Sequence, residues 1–396
     1  MKVLVAKEFL GTDNHIIYDG STYAWVSKQP KDAWTYGSKS SDLDIGFIAK
    51  TVPDFSDPFL NSSYANSFVQ VGDRDAKIPW CKVMPRHAFV ESLQDLLDQL
   101  WFVITDDSNS YYREHLSSYY DILRQLGSPI IDKPVAIDII KDERIGVASE
   151  ISKFLPRTGG SAPRTVYSLT GSLTGRATVV SGPNILTLKK QNRKIFKSRY
   201  KDGKIIQIDI SSLEPRIALS IFGREAPDDI YSFICDELFG GKLERKHAKI
   251  AILSCIYGAS KWTLSEKLPD SVDTSKVMSE IKRYFGIEKL SRSLRKESES
   301  GFIRNVFGRK IESSKSHVNH YLQSSGVDVS FKIFRQVLDD MRGTGEDFTP
   351  LYVIHDAIVL DVSPGGYESA RLVASKKFKV EGLSCSFPTS LEVIKE

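Results

Sequence analysis

Two short stretches near the start of the chain, MKVLVA and HIIYDGSTYAWV, carry strand-like apolar patterning, and the Asp19-Gly20 pair inside the second predicts a hairpin turn. A long polar region with scattered prolines follows, so residues 1–84 read as short strands and loops of unknown role. From about residue 85 to 145 the period lengthens. Phe89, Leu93, Leu96, Leu97, Leu100 and Ile104 recur at spacings of three and four, and SYYDILRQLG closes on Gly127 where a helix would stop. Together these segments predict an elongated helical arm.

The sharpest change of period lies in KIIQIDISSLEPRIALSIFG, residues 204–223. Ile205, Ile206 and Ile208 predict a buried strand ending at Asp209. A helix should follow, with Ser211 or Ser212 as its cap, Glu214 and Pro215 in its first turn, and Ile217, Ala218 and Ile221 on its buried side. Further helices are predicted over 228–240, 245–258 and 319–341, with two more within 275–310 before a turn and strand at FIRNVFGRK. The last pattern, PLYVIHDAIVLDV at 350–362, is a hairpin whose tip holds His355 and Asp356. The segment 163–184 is loop-rich, with hydroxyl residues and glycines around Thr174-Gly175-Arg176.

Composition narrows the class without naming a function. The chain has 396 residues, 41% hydrophobic and 26% charged, with a net charge of +4, which is ordinary for a globular protein. That length suffices for a large core and roughly two to four structural units. Charge is unevenly placed: residues 189–204 carry eight Lys or Arg against one Asp, which suits either a solvated face or a polyanionic partner. Cys81, Cys235, Cys255 and Cys385 lack metal-type spacing and read as buried thiols of a reducing compartment. No stretch reaches the ~18 apolar residues of a membrane span, and the first residues lack a signal-peptide core. The expectation is a soluble cytoplasmic protein with no membrane partner, in the host cytoplasm if a virus encodes it.

Candidate chemistry rests on a few positions. A charge inside an apolar run is costly unless paired or metal-bound, which singles out Asp356, and Asp209 ends a strand at the start of a helix. Two such acids would let two divalent cations sit about 3.5–4 Å apart. On the 245–258 helix, Arg245, Lys249, Leu253 and Tyr257 form one stripe, matching phosphates, then sugar and base, although a basic amphipathic face has the same pattern. Arg176 beside hydroxyl donors suits a nucleic-acid backbone or plain solvent. Asn319 and Gln323, one turn apart, suit minor-groove acceptors or polar surface. Acids and cations together spell nucleotidyl transfer.

From about residue 163 to the C-terminus the order of these motifs resembles the family A DNA polymerases, the group of bacterial DNA polymerase I. DISSLEPR is similar to the family pattern D-Y-S-Q-I-E-L-R, RKHAKIAILSCIYG to R-x-x-x-K-x-x-x-F/Y-x-x-x-Y-G, VIHDA to V-H-D-E, and TGR to a T-G-R element. The resemblance implies metal ligation by Asp209 and Asp356, with Ile210 in the same group, catalysis by both acids and Lys249, and ribose exclusion by Glu214. It places Arg245, Lys249, Leu253, Tyr257, Glu214 and Ile210 at the dNTP. Arg176, Asn319, Gln323, His355, Lys315 and Arg309 are placed at the DNA.

Several positions depart from the family pattern. Ile210 and Ser212 replace Tyr and Gln, Leu253 replaces an aromatic residue, Ala357 replaces the second hairpin acid, and Lys315 stands where arginine is usual. The implied fold is α+β, a right hand with an antiparallel palm sheet and helical fingers and thumb. Its parts would be a thumb at 85–165, a palm at 166–218 and 310–396, and fingers at 219–309. Two Mg²⁺ ions, replaceable by Mn²⁺, primer-template DNA, dNTPs and separate replication proteins are the implied cofactors and partners. No nuclease acids of the D-x-E type precede residue 204, so no proofreading domain is expected, and a viral, mobile-element, repair or bypass role stays open. The alternatives are a single-subunit RNA polymerase-like enzyme, against which Glu214 argues, and an inactive template-primer binding protein.

Overall fold

The computed structural model describes residues 1–38, 43–49, 55–71, 78–142, 145–156, 159–299, 301–312 and 317–395. The chain divides into two compact units, Met1–Tyr120 and Asp121–Glu396. Residues 85–165, expected as one thumb segment, are shared between them.

In the first unit β1 (Val3–Val5), β2 (His15–Tyr18), β3 (Tyr23–Val26) and β4 (Trp34–Tyr36) form a sheet of order β3-β2-β1-β4. β2 and β3 are the expected hairpin, with Tyr18 opposite Tyr23 and the Asp19 carboxylate accepting from the Ser21 and Thr22 amides. Gly20 has φ +97°, and a Cβ there would lie 2.4 Å from the Trp101 ring, so only glycine fits. Trp101 belongs to α1 (Arg86–Thr105), which buries the predicted stripe from Phe89 to Ile104. The Tyr18 hydroxyl donates to Asp98 at 2.7 Å, so this helix packs on the N-terminal sheet. An apolar stripe shows that a helix face is buried, but it is silent on what covers that face.

The second unit begins at Asp121 with helical sequence that includes Lys133–Asp142 and Ile145–Ser152, continues through a small hairpin, β5 (Val166–Ser168) and β6 (Thr178–Ser181), and is built on the strand β7 (Lys204–Ile210). β7 lies at the centre of a five-stranded sheet because its isoleucines are buried, with Ile205 and Ile206 fully so. It leads through Ser212 into α2 (Leu213–Ser220). Ser212 stands at the N-cap position in the left-handed region, φ 55°, yet its side chain caps no helical amide, contrary to expectation. Ile217 and Ala218 are buried as predicted, while Ile221 closes the helix at a half-buried position. Among the described residues the helices α3 (Ile230–Phe233), α4 (Arg245–Ile256), α5 (Thr274–Tyr284) and α6 (Ile287–Ser298) follow. The long α7 (His317–Gly343) then packs against α2, with Gly326 facing Leu213.

The chain ends with β8 (Phe348–Ile354), β9 (Ala357–Val362), β10 (Lys377–Lys379) and β11 (Ser386–Lys395), and the sheet order is β8-β9-β7-β11-β10, antiparallel throughout. Asp209 is opposite Ala357 on one side and Ser390 on the other. Cys235, Cys255 and Cys385 are buried free thiols as expected, while Cys81 is only half-buried.

Candidate active site

β7 and the β8–β9 hairpin bring the two acids together through backbone geometry. His355 takes φ 54° at the hairpin tip, an unusual conformation for a residue with a Cβ, and Asp356 follows it. The Asp356 carbonyl accepts from the Ile210 amide at 3.1 Å, which ties the tip to the end of the strand carrying Asp209. Burial and then the neighbouring Asp356 charge push the Asp209 carboxyl up to about 7, against the pull of Lys249. Asp356 is also raised by burial, opposed by its own amide, His355, Arg176 and Lys249. Two carboxylates that each resist ionisation side by side form a site where a cation is favoured.

Glu214, in the first turn of α2, is raised chiefly by burial. The Tyr257 hydroxyl donates to its Oε1 at 3.3 Å, and Arg176 Nη2 lies 3.5 Å from the same oxygen. Burial pushes the Tyr257 hydroxyl up to about 12, so it remains a donor. Arg176 leaves a turn that glycine makes possible. Gly175 has φ +77°, and a Cβ there would meet Nη1 of Arg309 at 1.4 Å. The Ser172 hydroxyl holds the turn by donating to the Arg176 carbonyl at 3.0 Å.

α4 supplies the cations. Arg245 and Lys249 stand 5.3 and 5.8 Å from the centre of the Tyr231 ring. A cleft of about 400 Å³ gathers Arg176, Asp209, Ile210, Glu214, Arg245, Lys249, Leu253, Tyr257, His355 and Asp356, all singled out by sequence. Gln323 lines an adjoining hollow with Arg176, Glu214, His355 and Asp356. Asn319 faces a different hollow of about 610 Å³, beside Tyr257, Arg292 and Arg295. Lys315 lies outside the described residues.

Arg309 is a correction. It is 1% exposed and 3.5 Å from Asp328, which also accepts from Asn305, so it supports the Gly175 turn from within and offers DNA no surface. The hydroxyls near Arg176 likewise bond within their own loop, as with Thr178 to Ser168 and Thr165 to Pro183. Half of the basic run is engaged by the palm-side sheet and its surroundings: Lys190 with Glu392, Arg193 with Gln207, Arg199 with Asp361, and Lys204 over Tyr367. Lys189, Lys194, Lys197 and Lys201 remain exposed.

Sequence reasoning passed over two residues here. Tyr231, 5% exposed, forms the floor under both cations. Arg216, 1% exposed, donates to the carbonyls of Ser211, Ser386, Pro227 and Asp228. An arginine in DISSLEPR could have been flagged by the apolar residues around it, but its four acceptors come from three separate segments of the chain.

The donor set suits magnesium. Among the described residues no three His, Cys, Asp or Glu side chains gather to cage a metal, but two carboxylates completed by water and phosphate oxygens are the usual magnesium arrangement. Ile210 could ligate only through its carbonyl, since its side chain is apolar and buried.

Three likenesses bear on this geometry. A DNA polymerase from Bacillus phage SP01 is 25% identical over 242 residues, which is 49% of this chain and 26% of the phage protein, so the chain spans about a quarter of that relative's length. The solved POL domain of Pol1 from M. smegmatis, in complex with DNA primer-template and dNTP, superposes with a TM-score of 0.60 at 14% identity, over 99% of this chain and 94% of that one. That likeness shows the fold, a right-hand polymerase fold with an antiparallel palm sheet. The family profile described as DNA polymerase family A matches residues 148–394. This chain therefore belongs to DNA polymerase family A.

Proposed function

We propose that the chain is a template-directed, primer-dependent DNA polymerase that adds dNMP to a DNA 3′-hydroxyl. The observation that carries this reading is the convergence of Asp209 and Asp356 with Arg245, Lys249 and Glu214 on one cleft. Asp209 and Asp356, with the Ile210 carbonyl, would hold two Mg²⁺ ions, which Mn²⁺ can replace. Such a pair, when bound, lowers the charge cost at the attacking and leaving oxygens. Arg245 and Lys249 bind the triphosphate, and Tyr257 and Leu253 flank the base and sugar.

Glu214 excludes a ribose 2′-hydroxyl. Its carboxylate is held from two sides by Tyr257 and Arg176, so it cannot swing away from an added oxygen. Arg176, Gln323 and His355 face the primer-template, and Asn319 faces the template side of Tyr257. Fingers at 219–309 and a palm at 166–218 with 310–396 describe the division of labour, and the thumb begins within 85–165. No described helix is long and apolar enough to cross a membrane. The cytoplasm, alongside separate replication proteins, is the proposed place of work.

Primer extension on a defined template with Mg²⁺, comparing dNTPs with rNTPs, tests the reading. Efficient dNTP use with poor rNTP use is expected. Equal use of both would favour an RNA polymerase-like enzyme, a possibility kept in view by Ala357. Duplex binding without any incorporation, in Mg²⁺ or Mn²⁺, would leave only a template-primer binding protein.

A further inference from the structure

Arg245 has a partner that the motif does not explain. Its Nε donates to Asp229 Oδ2 at 2.7 Å and its Nη2 to Oδ1 at 3.3 Å, a bidentate fork. Asp229 is itself immobile: its carboxylate accepts from the Tyr231 and Ser232 amides at the start of α3 and from the Ser232 hydroxyl. The loop before it is rooted in the sheet unit. Buried Arg216 binds the carbonyls of Pro227 and Asp228, and Lys377 on β10 pairs with the Asp228 carboxylate at 2.6 Å.

An exposed ion pair adds little to stability, so its use must be sought elsewhere. Arg245 lines the cleft and Asp229 does not. The carboxylate therefore holds the rear edge of the guanidinium, Nε and Nη2, while Tyr231 supports its face. Nη1 takes no part in the fork. A long side chain that would otherwise sample several rotamers is thereby held in one before any ligand arrives.

We propose that Asp229 is a positioning residue that presets the Arg245 guanidinium for the triphosphate of the incoming nucleotide, an inference that rests on the polymerase reading. Asp229 is no competitor for the phosphates, because it grips the arginine from outside the cleft. The ordering cost of Arg245 is met on folding and not at each nucleotide encounter.

The test separates Asp229's capping task from its hold on Arg245. Serine caps a helix about as well as aspartate but is too short to reach Arg245, and asparagine keeps both length and cap but loses the charge. Asp229→Ser is expected to raise the KM for dNTP by about three- to tenfold, with kcat within about twofold, and Asp229→Asn to fall between it and the wild type. In an Arg245→Ala background Asp229→Ser should change KM no further. An unchanged or lower KM in Asp229→Ser overturns the inference, as does an equal rise in the Arg245→Ala background. Equilibrium dialysis of Mg·dATP on the full chain provides a readout without turnover. Weaker dATP binding by Asp229→Ser than by a wild type that itself never extends primers would sink the polymerase reading alone. Unaltered binding in an active enzyme would sink this inference alone.

Discussion

The two sides of the cleft are built differently. On the sheet side, Asp209 and Asp356 are placed by main chain: strand register, the Ile210 to Asp356 hydrogen bond, and a left-handed residue at His355. On the helix side, Arg245 is placed by side chains, its own 59% exposed and held by Asp229 and Tyr231. Main-chain placement keeps two like charges close at a cost that folding absorbs. Side-chain placement instead holds the guanidinium by one edge and one face, with no main-chain contact to fix it. The contrast matches the tasks proposed for each side, since metal geometry tolerates little displacement and phosphate binding tolerates more.

Exchanging one charge on each side gives the largest test. Asp356→Asn should lower primer extension about a thousandfold, because a metal site contributes several kcal/mol and each 1.36 kcal/mol is tenfold in rate. Arg245→Ala should act mainly on the KM for dNTP. If single-turnover rates fell as far in Arg245→Ala as in Asp356→Asn, the two sides would not differ as described.

Next in size is Arg216→Ala. It strands four carbonyls around a buried site and frees the loop that carries Asp229, so urea denaturation should show a loss of about 3 kcal/mol. The KM for dNTP should rise with it. A stable Arg216→Ala protein would mean that the loop is held by other contacts.

Glu214→Ala comes third. Removing a carboxylate held by Tyr257 and Arg176 should cut the preference for dNTP over rNTP by about 10- to 100-fold in competition assays, the range of a lost steric and polar contact. Undiminished preference would shift the selection to Tyr257 or Leu253.

The smallest effect concerns stability in EDTA. The Asp209 carboxyl stands at about 7 in the folded chain, above its ordinary value of 3.8. A carboxylate raised on folding contributes full stability below pH ~4 and loses it as pH rises through ~7. Asp209→Asn should therefore stabilise the metal-free protein by about 2 kcal/mol at pH 8 and not at pH 4, while losing activity. No gain at pH 8 would show that solvent already relieves the repulsion between the acids.

The local readings that succeeded were those where one stretch dictates its own structure. The isoleucines before Asp209 forced a central strand, the Asp19-Gly20 pair forced a hairpin, and the four-residue stripe of Arg245, Lys249, Leu253 and Tyr257 put four side chains on one cleft. The readings that failed depended on distant neighbours. Arg309 is placed at the DNA by the family resemblance alone, yet Asp328 and the bare backbone of Gly175 give it a buried seat. Ser212 looked like a cap, but it takes the left-handed conformation and its side chain caps no helical amide. Asp229 does cap the start of α3, but its grip on Arg245 is invisible without the fold.

By itself the sequence determined which segments could be strands or helices, which acids and cations were too costly or too regularly spaced to be idle, and the family those motifs resemble. Periodicity and burial cost act over a few residues and so are written locally. Only the tertiary structure decided which charges meet. Whether an arginine faces a nucleotide, a turn glycine or a loop carbonyl depends on chain segments tens to hundreds of residues away, brought into register by a sheet whose pairings no local pattern specifies.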